Sequence, residues 1–201
     1  MKTAAGSLLL FIVLFIVVGI TTPLSGQEHQ DQKLLAIGGE VAWGIGINGR
    51  AVGWSLSHPQ HHVTIAANLG NGGGHAYLDA YLMRSVGPGT TGSDEVAYVS
   101  LDLPYPFTGW VKLFEGLDLE AGEYWLVIAK PRDRAHSSIN WVAANPRILT
   151  MSGGAQYLGT KSYTYAGDAA DYLPASKFAA IELDPYGFGI EVTAARVPPS
   201  W

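Results

Sequence analysis

The chain reads as an all-β protein, an antiparallel β-sandwich of jelly-roll type, and three observations predict this. Apolar residues recur at every second position in many short segments from Ala51 onward. Clusters such as Gly70–Gly74, Gly87-Pro88-Gly89 and Pro104-Tyr105-Pro106 punctuate those segments as turns. No segment has a convincing amphipathic-helix period. About ten short strands separated by Gly/Pro turns are the pattern of two stacked antiparallel sheets.

Each element follows from local pattern. Leu34–Gly49 is glycine-rich with isolated apolar residues, an expected edge strand or loose arm within a flexible lead-in over residues 27–50. Val52, Trp54 and Leu56 alternate with small residues, and after Ser57–His62 a second strand aligns Val63, Ile65, Ala67 and Leu69. These two strands are expected to form a hairpin with a longer loop. In His75–Val86, Ala76, Leu78, Ala80 and Leu82 alternate as a strand would. Tyr77/Tyr81 also fits helical spacing, but no capping residue opens a helix there. Glu95–Leu103 turns Ala97, Val99, Leu101 and Leu103 inward. Val111–Ala129 reads as strand, tight connection, strand, and its unbroken run Tyr124–Ala129 suits a central strand covered on both faces. Short strands follow at Ile139–Ala143, Ile148–Met151, Tyr157–Tyr165 and Phe178–Leu183. Gly187–Thr193 alternates most cleanly, with Phe188, Ile190 and Val192 against Gly189, Glu191 and Thr193. The sandwich is expected over residues 51–194, with 195–201 as a tail.

Export is expected as well. Lys2 precedes an apolar core from Leu8 to Ile20, and Pro23, Ser25 and Gly26 lead into a polar run, the order of a secretory signal peptide over residues 1–26. That core is shorter than the roughly 20 residues of a spanning helix. A secreted, extracellular domain with no membrane association after signal cleavage is expected, with an uncleaved N-terminal anchor as the alternative. The chain has no cysteine, so disulfide scaffolds and thiolate chemistry are excluded. Its net charge of −5 has no basic cluster to meet nucleic acid.

Four segments together resemble exported bacterial proteins of the PEP-CTERM, exosortase-sorted kind. They are Ala51-Val-Gly-Trp54, Val63-Thr-Ile-Ala-Ala-Asn-Leu69, Val86-Gly-Pro-Gly-Thr-Thr91 and Leu113-Phe-Glu-Gly-Leu-Asp-Leu-Glu-Ala-Gly-Glu-Tyr-Trp-Leu126. The resemblance implies a signal peptide, a β-sandwich and a C-terminal sorting tail. Val197-Pro-Pro-Ser200 resembles a degenerate Val-Pro-Glu-Pro tail without its Glu. With that tail lost, the protein is expected to be released rather than anchored.

Candidate sites are of three kinds. His58, His61 and His62, close in one loop, are imidazoles that suit zinc or copper, though adjacent loop histidines are commonly solvated turn residues. Asp168 and Asp171 offer oxygen ligands for a structural calcium without the spacing of a calcium loop, and a helix-capping role explains Asp168 equally well. The aromatics Trp110, Trp141, Tyr163, Tyr165 and Tyr172 are candidate ligand-binding rings, flat and hydrogen-bonding at the edge, as sugar faces and protein partners require. Glu115, Asp118, Glu120 and Glu123 cluster as solvated turn carboxylates rather than a facing hydrolytic pair. No nucleophile elbow or zinc-protease motif occurs. The expected function is a non-catalytic binding or extracellular-matrix module with polysaccharide as its ligand. A glycan-acting or metal-dependent hydrolase and a purely structural surface protein are the alternatives.

Overall fold

A computed structural model of the chain describes residues 31–46, 50–74, 76–129, 139–162 and 187–196. The described strands are β1 (Gln32–Gly46), β2 (Arg50–Leu56), β3 (Gln60–Asn71), β4 (Ala76–Met83), β5 (Glu95–Leu103), β6 (Phe107–Leu119), β7 (Gly122–Ala129), β8 (Ile139–Met151), β9 (Ala155–Ser162), β10 (Gly187–Phe188) and β11 (Ile190–Ala194). The first sheet runs β10-β8-β1-β11-β3-β6 and the second β5-β4-β7-β2-β9, with antiparallel pairings.

Leaving out β8, β9 and β10, the orders become β1-β11-β3-β6 against β5-β4-β7-β2. That interleaving of two Greek keys is a jelly roll. The excursion between β7 and β11 adds β8 beside β1 and β9 beside β2, so it widens both sheets. The first three residues of β8 also pair with Leu69–Asn71 of β3, which closes the pairings β1–β8–β3–β11 into a ring. Gly189 is the pivot of that closure. It donates to Val142 O and accepts from Asn68 N, both at 2.9 Å, as the chain leaves β8 for β3. A Cβ there would stand 2.7 Å from Asn68 Cβ.

This topology corrects two expectations. β2 and β3 are not a hairpin, because each already has two partners in its own sheet: β7 and β9 for β2, β11 and β6 for β3. In a jelly roll, successive strands cross between layers, and Ser57–Pro59 makes such a crossing. The arm expected within residues 27–50 is, over Gln32–Gly46, an interior strand held between β8 and β11. Its isolated apolar residues hide the strand signal, but Leu34, Leu35 and Ile37 are fully buried.

The core lies between the sheets. Trp54, Leu78, Leu82, Tyr124, Leu126 and Ile128 come from the second sheet and meet Ile65, Leu69, Trp141, Phe188, Ile190 and Val192 from the first. Each such side chain contributes about 1.5–3 kcal/mol by leaving water. The expected inward sets of β4, β5 and β10–β11 are therefore the observed ones. The buried Asn71 joins turn to strand, its Nδ2 donating to Gly74 O (2.8 Å), Pro104 O (3.0 Å) and Leu103 O (3.2 Å).

Candidate functional site

β7 is buried along Tyr124–Ala129 because both of its faces are covered. Tyr124, Leu126 and Ile128 face the core, whereas Trp125 and Val127 belong to a second apolar cluster with Ala51, Met83 and Val86 on the outer side of the second sheet. A sheet normally dries only one face when the other meets water, so a dry outer face sets this sheet apart.

Register fixes what lies side by side. Tyr98 on β5 is opposite Tyr81 on β4, Tyr81 opposite Val127, Val127 opposite Ala51, and Ala51 opposite Lys161. The adjacent row sets Met83 opposite Trp125 and Trp125 opposite Gly53. The indole lies flat on that glycine: a Cβ on Gly53 would come within 2.6 Å of Trp125 Cζ3. Lys161 Nζ lies 4.2 Å from the Trp125 ring centroid and donates to Val86 O at 2.8 Å. Burial lowers the pKa of this ammonium.

At the β4–β5 end the row becomes polar. Asp79 lies two residues before Tyr81 on the same face of β4 and is only 6% exposed. Its Oδ1 accepts the Tyr98 hydroxyl at 3.1 Å and its Oδ2 the Tyr81 hydroxyl at 3.3 Å. The two phenol rings meet with centroids 5.0 Å apart at 41°. Burial, then the Asp79 charge, holds the Tyr81 phenol well above the ordinary range, so it stays a hydrogen-bond donor at any physiological pH. Tyr98 is 49% exposed. The cluster is thus an open ring, a half-buried ring and a buried carboxylate on one face. It can stack on a flat ligand and accept hydrogen bonds from it.

The sequence-derived candidates fall differently. Trp110 is an exposed ring on the opposite outer face, paired in register with Asn68. Trp141 is not a surface ring. It is fully buried against Phe188 at 5.1 Å, and its Nε1–H donates to Gly189 O at 2.9 Å. Its strand enters the sheet interior at that residue, so the indole completes the core instead of a binding surface. His58, His61 and His62 are all exposed. His61 Nδ1 and His62 N both meet Asp118 Oδ1 at 3.2 Å, while His58 Nδ1 pairs with Gln60 Nε2 at 3.0 Å. Among the described residues no three His, Cys, Asp or Glu side chains gather to hold a metal. Glu115 is engaged by Lys112 Nζ at 2.6 Å. Tyr163, Tyr165, Tyr172, Asp168 and Asp171 lie outside the described residues.

Among the described residues no helix is long and apolar enough to cross a membrane. No family model matches the chain, and no curated protein or solved structure matches it either. What can be stated of class is therefore architectural: a jelly-roll sandwich whose outer face carries a tyrosine–carboxylate cluster.

Proposed function

We propose that the protein is a secreted, non-catalytic binding module of the exosortase-sorted kind whose ligand is an extracellular polysaccharide. One observation carries this reading: the half-exposed Tyr98 ring, braced by Tyr81 and tethered with it to the buried carboxylate of Asp79. A sugar ring offers a flat C–H face for stacking and a rim of hydroxyls for hydrogen bonding, and this cluster has a surface for each. Tethering also lowers the ordering cost of binding, since the rings are held in place before the ligand arrives. The strand backbone beneath is a rigid support. The carboxylates nearest a hydrolytic arrangement, Glu115 and Asp118, make surface pairs with Lys112 and with His61 and His62, which favours binding over hydrolysis.

The test is a glycan array probed with the mature protein and with Tyr98→Ala. Retention on at least one polysaccharide class, weakened about tenfold in the variant, is the expected result. Failure to bind any glycan would leave the purely structural surface role in its place.

A further inference from the structure

The geometry of the tyrosine pair carries a second chemistry, independent of the glycan reading. Tyr81 and Tyr98 stand directly opposite each other in the β4–β5 ladder. Their ring centroids are 5.0 Å apart, little wider than two directly bonded aromatic rings need. Tyr98 donates to Asp79 Oδ1 at 3.1 Å and Tyr81 to Oδ2 at 3.3 Å, so both hydroxyls converge on one carboxylate. The ortho carbons flank those hydroxyls, and the tether that gathers the oxygens gathers the carbons with them. Each phenol hydrogen already points at an acceptor, because a carboxylate only accepts. An electron can therefore leave either ring while its proton moves along an existing hydrogen bond, with Asp79 in the place of a positioned base.

Access is graded along the pair. Tyr98 is 49% exposed, so an oxidant meets it first, and the ring contact carries the oxidation inward to Tyr81. The buried ring pairs Trp54–Tyr124 and Trp141–Phe188 have at most one phenol each. The chain has no cysteine, so no disulfide can fasten its strands. β5 is the end strand of its sheet in the described topology. From this arrangement we propose that Tyr81 and Tyr98 form an oxidative cross-linking site, joined carbon to carbon as a dityrosine that fastens β5 to β4. The oxidant is hydrogen peroxide acting through a haem peroxidase, which takes one electron from each phenol. Each phenol proton passes to Asp79 and on to water. The two phenoxyl radicals form one bond between ortho carbons, and the hydrogens on those carbons then move to the phenol oxygens. In sum the two phenols lose two electrons and two protons, and the peroxide O–O bond breaks to give two waters.

The test treats dilute mature protein with hydrogen peroxide and a haem peroxidase, then digests the monomer with trypsin for mass spectrometry. Trypsin cuts after Arg84, so Ala51–Arg84, which carries Tyr81, and Ser85–Lys112, which carries Tyr98, separate unless they are joined. The expected product is these two peptides linked with the loss of two hydrogens, fragmentation placing the bond at Tyr81 and Tyr98. Dityrosine fluorescence should appear in the monomer. Tyr98→Phe should abolish the linked product. Tyr105→Phe should leave its yield unchanged, although Tyr105 is the more exposed phenol at 60%. Asp79→Asn keeps the side-chain shape and should slow linkage severalfold with circular dichroism unchanged. Links at Tyr77 or Tyr105 instead, links between molecules only, or oxidised monomer with the two peptides unjoined would each overturn the proposal. A rate unaltered in Asp79→Asn would overturn the proton route through the carboxylate. Glycan retention is read separately on the array, so either reading can fail alone.

Discussion

The two outer faces of this sandwich differ in kind. On the first sheet, β3 turns Thr64, Ala66, Asn68 and Gly70 outward, all partly exposed, and the charged residues there pair off as Lys33–Glu191 at 2.9 Å and Lys112–Glu115 at 2.6 Å. Trp110, exposed, stands on that face beside Asn68. On the second sheet the outer residues Ala51, Met83, Trp125 and Val127 are as buried as the core, and the tyrosine–carboxylate cluster closes the row. The origin lies in strand period. β3 alternates strictly and so has one dry face, whereas Tyr124–Ala129 is apolar at every position and dries both. An exposed aromatic means different things on each: Trp110 is an exposed ring on a wet surface, and Tyr98 is the outer ring of a packed, hydrogen-bonded assembly.

Stability measurements sharpen that contrast most strongly. Trp125→Ala should cost about 3–5 kcal/mol, as for a buried core indole, because Gly53, Met83 and Lys161 all lose their neighbour. Trp110→Ala should change stability by less than about 0.5 kcal/mol. Urea unfolding of the two variants makes the comparison, and similar losses would erase the distinction between the faces. Gly53→Ala comes next, at about 1–3 kcal/mol, since its methyl must displace an indole that has no free space beneath it.

Two titrations test smaller effects. Tyr81 should ionise later than an ordinary phenol when absorbance is followed into alkali. With its pKa raised in the folded state, its contribution is fully present below the ordinary phenol value of about 10 and is lost as pH rises beyond it. In Asp79→Asn the phenol should ionise earlier, though burial, the larger cause, keeps it above an ordinary tyrosine. On the other face, the backbone N–H of His62 and then the His61 ring hold the Asp118 carboxyl low. A lowered carboxylate stabilises above its ordinary pKa and loses that contribution as pH falls through the lowered value. Asp118 is exposed on the surface, so Asp118→Asn should flatten the acid limb of the stability curve only slightly. An unchanged acid limb would mean that neither the His62 N–H nor the His61 ring holds Asp118 in solution.

Most of the fold was legible because alternation is a local signal. The inward sets Ala76/Leu78/Ala80/Leu82 and Ala97/Val99/Leu101/Leu103 were read directly, and so was the central placing of Tyr124–Ala129. The expected hairpin of β2 and β3 failed because a short connection between alternating strands looks alike whether the chain stays in one sheet or crosses to the other. The site is only half legible, for a related reason. Once the even positions of β4 and the odd positions of β5 face inward, Tyr77, Asp79 and Tyr81 must share the outer face with Tyr98, Ser100 and Asp102. Rings in loops and at strand ends carry the more obvious binding pattern, and these mid-strand residues lie outside it. Register across strands, which no local pattern contains, is what brings Tyr81 to Tyr98 and makes one cluster of them. Trp141 is the converse case: nothing local to its short strand shows that Phe188 and Gly189 enclose it.

The central claim is that ligand binds the outer face of the second sheet at its tyrosine–carboxylate cluster. Backbone amide shifts followed by NMR during titration with an oligosaccharide of the class retained on the glycan array test it most directly. The account predicts perturbations centred on Asp79, Tyr81, Tyr98 and Ser100. Perturbations centred instead on Asn68, Thr108 and Trp110 would contradict it and assign binding to the opposite face.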